Sequence, residues 1–152
     1  MIYLQLLKFI RSMNPYRLLL ATCATLLLTA CNHTDEMLQH KKWRVYDVQV
    51  PPEDAYNITQ VNQAKEFKSG YYSNAYYQFL DNHLFIATIN NKPDSGRYTL
   101  LSGDKVISIT ASNGSRKSEH LVTITRLDAD HFDMKVQSED FQFILLTKKS
   151  DH

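Results

Sequence analysis

The chain has 152 residues, 43% of them apolar, 11% aromatic and 22% charged, which suits one folded domain with a real core and excludes a disordered or low-complexity chain. Seventeen Lys and Arg stand against sixteen Asp and Glu, a net charge of +1, so composition excludes the strongly basic surface that a nucleic-acid partner would need.

The first element in chain order is a targeting segment. Lys8, Arg11 and Arg17 precede a mostly apolar, uncharged run from Leu18 to Leu28, which leads into Leu28-Thr29-Ala30-Cys31. The run is too short to span a bilayer but has the length of a signal h-region, and the small residues Thr29 and Ala30 give a peptidase access to the bond before Cys31. Met13 opens an ordinary signal by itself, so the sequence admits it as the start. This order of features resembles a bacterial lipoprotein precursor. The resemblance implies a signal peptide over 1–30, cleavage between Ala30 and Cys31, and a diacylglycerol with a further acyl (palmitate) chain on Cys31. Its implied partner is therefore the lipid bilayer, reached through Cys31. Asn32 after the cysteine matches the enteric pattern for outer-membrane placement, facing the periplasm or the cell surface. Cys23 falls inside the signal and the lipid would occupy Cys31, so no disulfide is expected within one mature chain. The signal segment holds none of the acids, so the mature chain is slightly acidic.

Residues 31–42 are mostly polar after the cysteine and read as a tether with at most one helical turn. Residues 43–50, rich in β-branched and aromatic side chains, read as a strand whose apolar positions change parity near Tyr46, the sign of a bulge; Pro51-Pro52 ends it. In the long stretch 53–75, Ile58, Val61, Ala64, Lys65 and Phe67 approach helical spacing before Ser69-Gly70, so a short helix is expected there. From Tyr76 onward, apolar runs at 76–80, 84–89, 97–101, 105–111, 120–127, 131–136 and 141–148 alternate with polar turns, which reads as a chain of hairpins. With the first, that makes eight strands.

Eight sequential strands with short connections form a meander, and a meander of that number closes on itself and removes its edges. The expected fold is all-β, an eight-stranded antiparallel up-and-down barrel. Alternation predicts an inward set of Trp43, Val45, Tyr77, Phe79, Phe85, Ala87, Tyr98, Leu100, Ile107, Ile109, Val122, Ile124, Phe132, Met134, Phe141, Phe143 and Leu145, with Asp133, Lys135 and Gln142 outward. Expected boundaries are 31–42 for the tether, 43–148 for the barrel and 149–152 for a tail. The tether enters beside the turns 81–83, 102–104 and 128–130, and longer connections at 51–75, 90–95, 112–118 and 137–140, with the Tyr71 to Tyr77 cluster, form the mouth at the opposite end.

The Trp43 opening, Tyr77 and Phe79, and Ser95-Gly96-Arg97-Tyr98-Thr99-Leu100 before Gly103-Asp104-Lys105 together resemble the small lipocalin-like domains of bacterial lipoproteins, with Lys41 where the lipocalin opening motif has Gly. The resemblance implies a small-ligand-binding module. The alternative class is a protein-interaction lipoprotein, such as an envelope assembly factor or a cell-wall hydrolase inhibitor.

Catalysis finds no support. The six histidines, His33, His40, His83, His120, His131 and His152, form no His-Glu-x-x-His or His-x-His, and no Gly-rich phosphate loop or nucleophile elbow is present. No enzyme activity, metal or cofactor is expected. Tyr71, Tyr72, Tyr76 and Tyr77 crowd the entry to the second strand; with Phe79 and Tyr98 they are the candidate residues for a small apolar ligand or an envelope-protein partner, against the alternative that they plug the barrel.

Overall fold

A computed structural model describes residues 33–113, 116–138 and 140–150. The signal segment and the lipobox, with Ala30 and Cys31, lie outside the described residues. After a helix α1 (His33–Leu38) come β1 (Lys42–Gln49), α2 (Ile58–Ser69), β2 (Tyr76–Leu80), β3 (Leu84–Ile89), β4 (Lys92–Leu101), β5 (Val106–Asn113), β6 (Arg116–Leu127), β7 (Phe132–Ser138) and β8 (Phe141–Ser150). Strands pair in sequence order, and β8 pairs with β1 to close an eight-stranded antiparallel barrel.

The register follows the alternation. Trp43, Phe79, Tyr98, Ile107, Phe132, Phe143 and Leu145 are fully or almost fully buried, and Ala87, Leu100, Ile109, Ile124 and Phe141 pack against them. The parity change at Tyr46 is a bulge: β1 loses step with β8 between Val45 and Asp47, so that Val45 and Val48 both face inward. A second irregularity lies between Ile124 and Arg126, where β6 meets β7. There Asp133 departs from expectation. It is buried at 6% exposure and accepts the Thr147 backbone N–H at 3.0 Å, while the Thr147 hydroxyl donates to the Phe132 carbonyl. The β7–β8 ladder runs only from Met134 opposite Leu145 to Ser138 opposite Phe141, and beyond it these two side-chain bonds tie Thr147 to β7, because a buried N–H without a partner is costly.

Two connections are tighter than their composition suggests. Asn90 and Asn91 both take positive φ, 52° and 59°, and alone turn β3 into β4; Asn tolerates that conformation as a hairpin turn demands. Pro93, Ser95 and Gly96 therefore lie inside β4 and not in a loop. Pro93 is tolerated because β4 pairs with β5 only from Gly96 onward, so residues 92–95 need bonds to β3 alone. Likewise β5 and β6 continue in register to Asn113 opposite Arg116. Paired strands, and not loops, build this end of the barrel.

The described part of the expected tether, from residue 33, is folded. Leu38 is completely buried and its carbonyl accepts Trp43 Nε1–H at 3.0 Å. The Tyr98 hydroxyl donates to Asp35 Oδ1 at 2.5 Å, while Gln39 Nε2 donates both to Asp35 Oδ2 at 2.8 Å and to the Tyr98 oxygen at 3.0 Å. His40 N–H then donates to the Phe79 carbonyl at 3.2 Å. Residues 33–40 thus seal the barrel end that carries the 81–83 turn.

At the other end β1 and β2 pair only over Lys42–Arg44 with Tyr76–Gln78. Above that the two strands separate, and α2 with the turn after it occupies the gap. Asn57 caps the helix, accepting Gln60 N–H at 3.2 Å. The apolar face that spacing suggests is buried only in part: Ile58 is 69% exposed, whereas Gln60, at 1%, donates to Asp54 Oδ2 at 3.1 Å and to the Gln142 carbonyl of β8 at 2.8 Å. Ala64 and Phe67 continue that face, and Phe67 meets the interior Phe143 edge-on at 5.1 Å.

Candidate functional site

The two halves of the barrel are filled differently. Around the closed end, Trp43–Phe132 (5.8 Å), Phe79–Phe132 (5.5 Å), Phe79–Tyr98 (5.0 Å) and Phe79–Phe85 (5.2 Å) form one continuous aromatic cluster. An eight-stranded barrel is just wide enough for such side chains to fill it or for one small ligand to replace them. Toward the other end the inward positions of the central strands shrink to Ala87, Ala111 and Ser118, and a cavity of about 740 Å³ opens, within the range that ligand pockets occupy.

Tyr77 and Phe85, stacked at 5.9 Å and 18°, line the cavity while Phe85 also touches Phe79, so this pair divides the filled half from the hollow one. Phe67, Tyr71 and Tyr72 form the wall supplied by α2 and its following turn; Tyr71 and Tyr72 meet edge-on at 4.8 Å. Ile89, Ile109, Val122 and Val136 supply the aliphatic wall, and Asp94, His120 and Ser138 add polar groups. Burial, with Tyr71 beside it, pushes the Tyr72 phenol up to about 12, and burial raises Tyr77 well above its ordinary value. Both phenols stay neutral at physiological pH, so this wall offers hydroxyls and ring faces without charge.

Of the six aromatic residues singled out from sequence, the structure brings Tyr71, Tyr72 and Tyr77 together at the cavity. Tyr76 instead faces outward, with Lys42 Nζ 3.9 Å from its ring centroid; its strand alternates, so Tyr76 and Tyr77 cannot share a face. Phe79 and Tyr98 belong to the filled half. The Tyr98 hydroxyl points to Asp35 at the closed end, and burial, then that hydrogen bond, raises its phenol well above its ordinary value. His83 lies edge-on to Tyr98 at 5.3 Å. His131 sits in the β6–β7 turn, its Nδ1 3.1 Å from Asp128 Oδ1, and His120 lines the cavity at the opposite end. Among the described residues, no three of His, Cys, Asp and Glu come together as metal ligands.

Sequence reading missed Ile89, Asp94, Ser118, His120 and Val136 as cavity residues. The available signal was size: wherever an inward position carries Ala or Ser in place of Phe or Leu, space is left. Asp94 was hidden because residues 90–95 read as a loop.

No protein-family model matches the chain, and no curated protein matches it. The cavity's own geometry therefore carries the functional reading.

Proposed function

We propose that this chain is a lipid-anchored, lipocalin-like barrel of the bacterial envelope that takes up one small, largely apolar molecule in the hollow half of its barrel. The supporting observation is the cavity of about 740 Å³ between the α2 aromatics and the inner faces of β3 to β7. Its lining combines apolar side chains with a few polar groups near the opening, the usual composition of a small-molecule site. The anchor enters this reading through the chain direction. Residues 33–40 seal the end remote from the cavity, so a lipid on Cys31 places the bilayer at the sealed end and turns the mouth away from it.

A second reading has one observation in its favour. Tyr56, 95% exposed on the connection before α2, and Ile58, 69% exposed at the first position of that helix, are of the kind that suits a protein partner. Native mass spectrometry of the full chain released from detergent micelles in the presence of N-phenyl-1-naphthylamine separates the two. A single saturable adduct, one probe per chain, is the expected result. Absence of any adduct, with a protein partner retained by the wild type and lost in Tyr56→Ala, would replace the first reading with the second.

A further inference from the structure

Among the described side chains, the acidic one on the inward face of the cavity wall is Asp94. Among the described residues that line it, the ionisable ones apart from the tyrosines are Asp94, Glu119 and His120; none is Lys or Arg. Glu119 alternates with the inward His120, and its carboxylate is on the outer face, accepting the Ser108 hydroxyl at 2.6 Å. Asp94 is different. It lies opposite Ala87 in the β3–β4 register and shares the inward face of β4 with Tyr98. Its Oδ1 accepts only the adjacent Ser95 N–H, at 2.9 Å, which leaves capacity on a carboxylate that can accept several hydrogen bonds. Tyr71 and Asp94 border both the cavity and a smaller hollow beside it, whose outer edge carries Lys92. A negative carboxylate therefore stands exposed at the mouth, on the same hollow as the half-exposed Tyr71 ring, with Tyr72 and Phe67 behind that ring.

We propose that the cavity selects an organic cation with an apolar body, its ammonium group placed between Asp94 and the Tyr71–Tyr72 aromatic wall. The inference rests on the ligand-binding reading above and names the class of ligand. Two effects converge. Ring faces attract cations through their quadrupole, more strongly where water is excluded, and quaternary ammonium groups are the ligands such aromatic walls suit best. The Asp94 carboxylate, solvent-exposed on the same hollow as Tyr71, adds a direct charge attraction that salt screens. An anionic ligand meets the reverse field, and a neutral one gains only from its apolar body.

The test compares two molecules of one shape. (Biphenyl-4-ylmethyl)trimethylammonium and 4-neopentylbiphenyl differ only in the central atom of the branched end, nitrogen cation against carbon. Equilibrium dialysis of the full chain in detergent micelles, against micelles alone, gives the affinity of each. The cation should bind about tenfold or more tightly than its neutral partner. Asp94→Asn, which keeps the acceptor for Ser95 N–H, should remove most of that preference and leave the neutral probe's affinity unchanged. Lys92→Gln should leave the preference intact or raise it. Equal binding of the two probes, or a preference that Asp94→Asn does not reduce, overturns the cation inference while the cavity still binds. Failure of both probes to bind overturns the ligand-binding reading together with it.

Discussion

Phe143→Ala is expected to destabilise the barrel by about 3–5 kcal/mol, and its neighbour Gln142→Ala by no more than about 0.5 kcal/mol. Phe143 has no exposed surface and closes against Phe67 of α2 at 5.1 Å, so truncation removes core contacts and unfastens the helix that fills the gap between β1 and β2. Gln142 is exposed, and its link to α2 runs through its backbone carbonyl, which the substitution leaves in place. Urea midpoints at constant slope measure both. Comparable losses at the two positions would contradict the register, since a shift of one residue exchanges the faces of a strand. The expected loss is a large part of a small domain's whole stability.

Gly96→Ala is the second large effect, and it arises from backbone rather than core. A Cβ at Gly96 would collide with the Thr110 carbonyl oxygen and stand 3.1 Å from Ala111 Cα. These are main-chain atoms of the facing strand and have no rotamer to yield. β4 and β5 begin their pairing at this point, so relief requires the two strands to part at the mouth. The expected cost is about 1–3 kcal/mol, read as a lower urea midpoint. An unchanged midpoint would show that β4 and β5 lie farther apart at Gly96 than the structure has them.

The barrel was legible because its signal is local and repeated. Alternation in Phe132-Asp133-Met134 and in Phe141-Gln142-Phe143 names the inward face without knowledge of any partner strand, and the parity change at Tyr46 marks its bulge. Features that depend on distant partners were not legible. The arm at 33–42 is polar because its contacts are polar: Asp35 and Gln39 bind Tyr98, some sixty residues away, and nothing near them in sequence says so. Asp133 alternates outward by pattern yet is buried, because it accepts the Thr147 N–H of β8 where the β7–β8 ladder has ended. The helix hid its buried face in the same way, with Gln60 inside and Ile58 outside. The candidate site was half legible. Tyrosine crowding at 71–77 pointed to the right end of the barrel, but the space itself comes from what Ala87, Ala111 and Ser118 lack, and absence of bulk carries little signal until strands are paired.

The central claim is that the hollow half of the barrel is the binding site, and filling it from within tests that claim most directly. Ala111 lines the cavity, and tryptophan there would occupy a large part of it; Leu101, 41% exposed on the outer surface, accepts the same substitution without touching it. Equilibrium dialysis with N-phenyl-1-naphthylamine should give one probe per chain for the wild type and for Leu101→Trp. For Ala111→Trp, affinity should fall at least about tenfold, with the urea midpoint showing that the variant remains folded. A folded Ala111→Trp that binds the probe as the wild type does would place the site elsewhere and contradict the account.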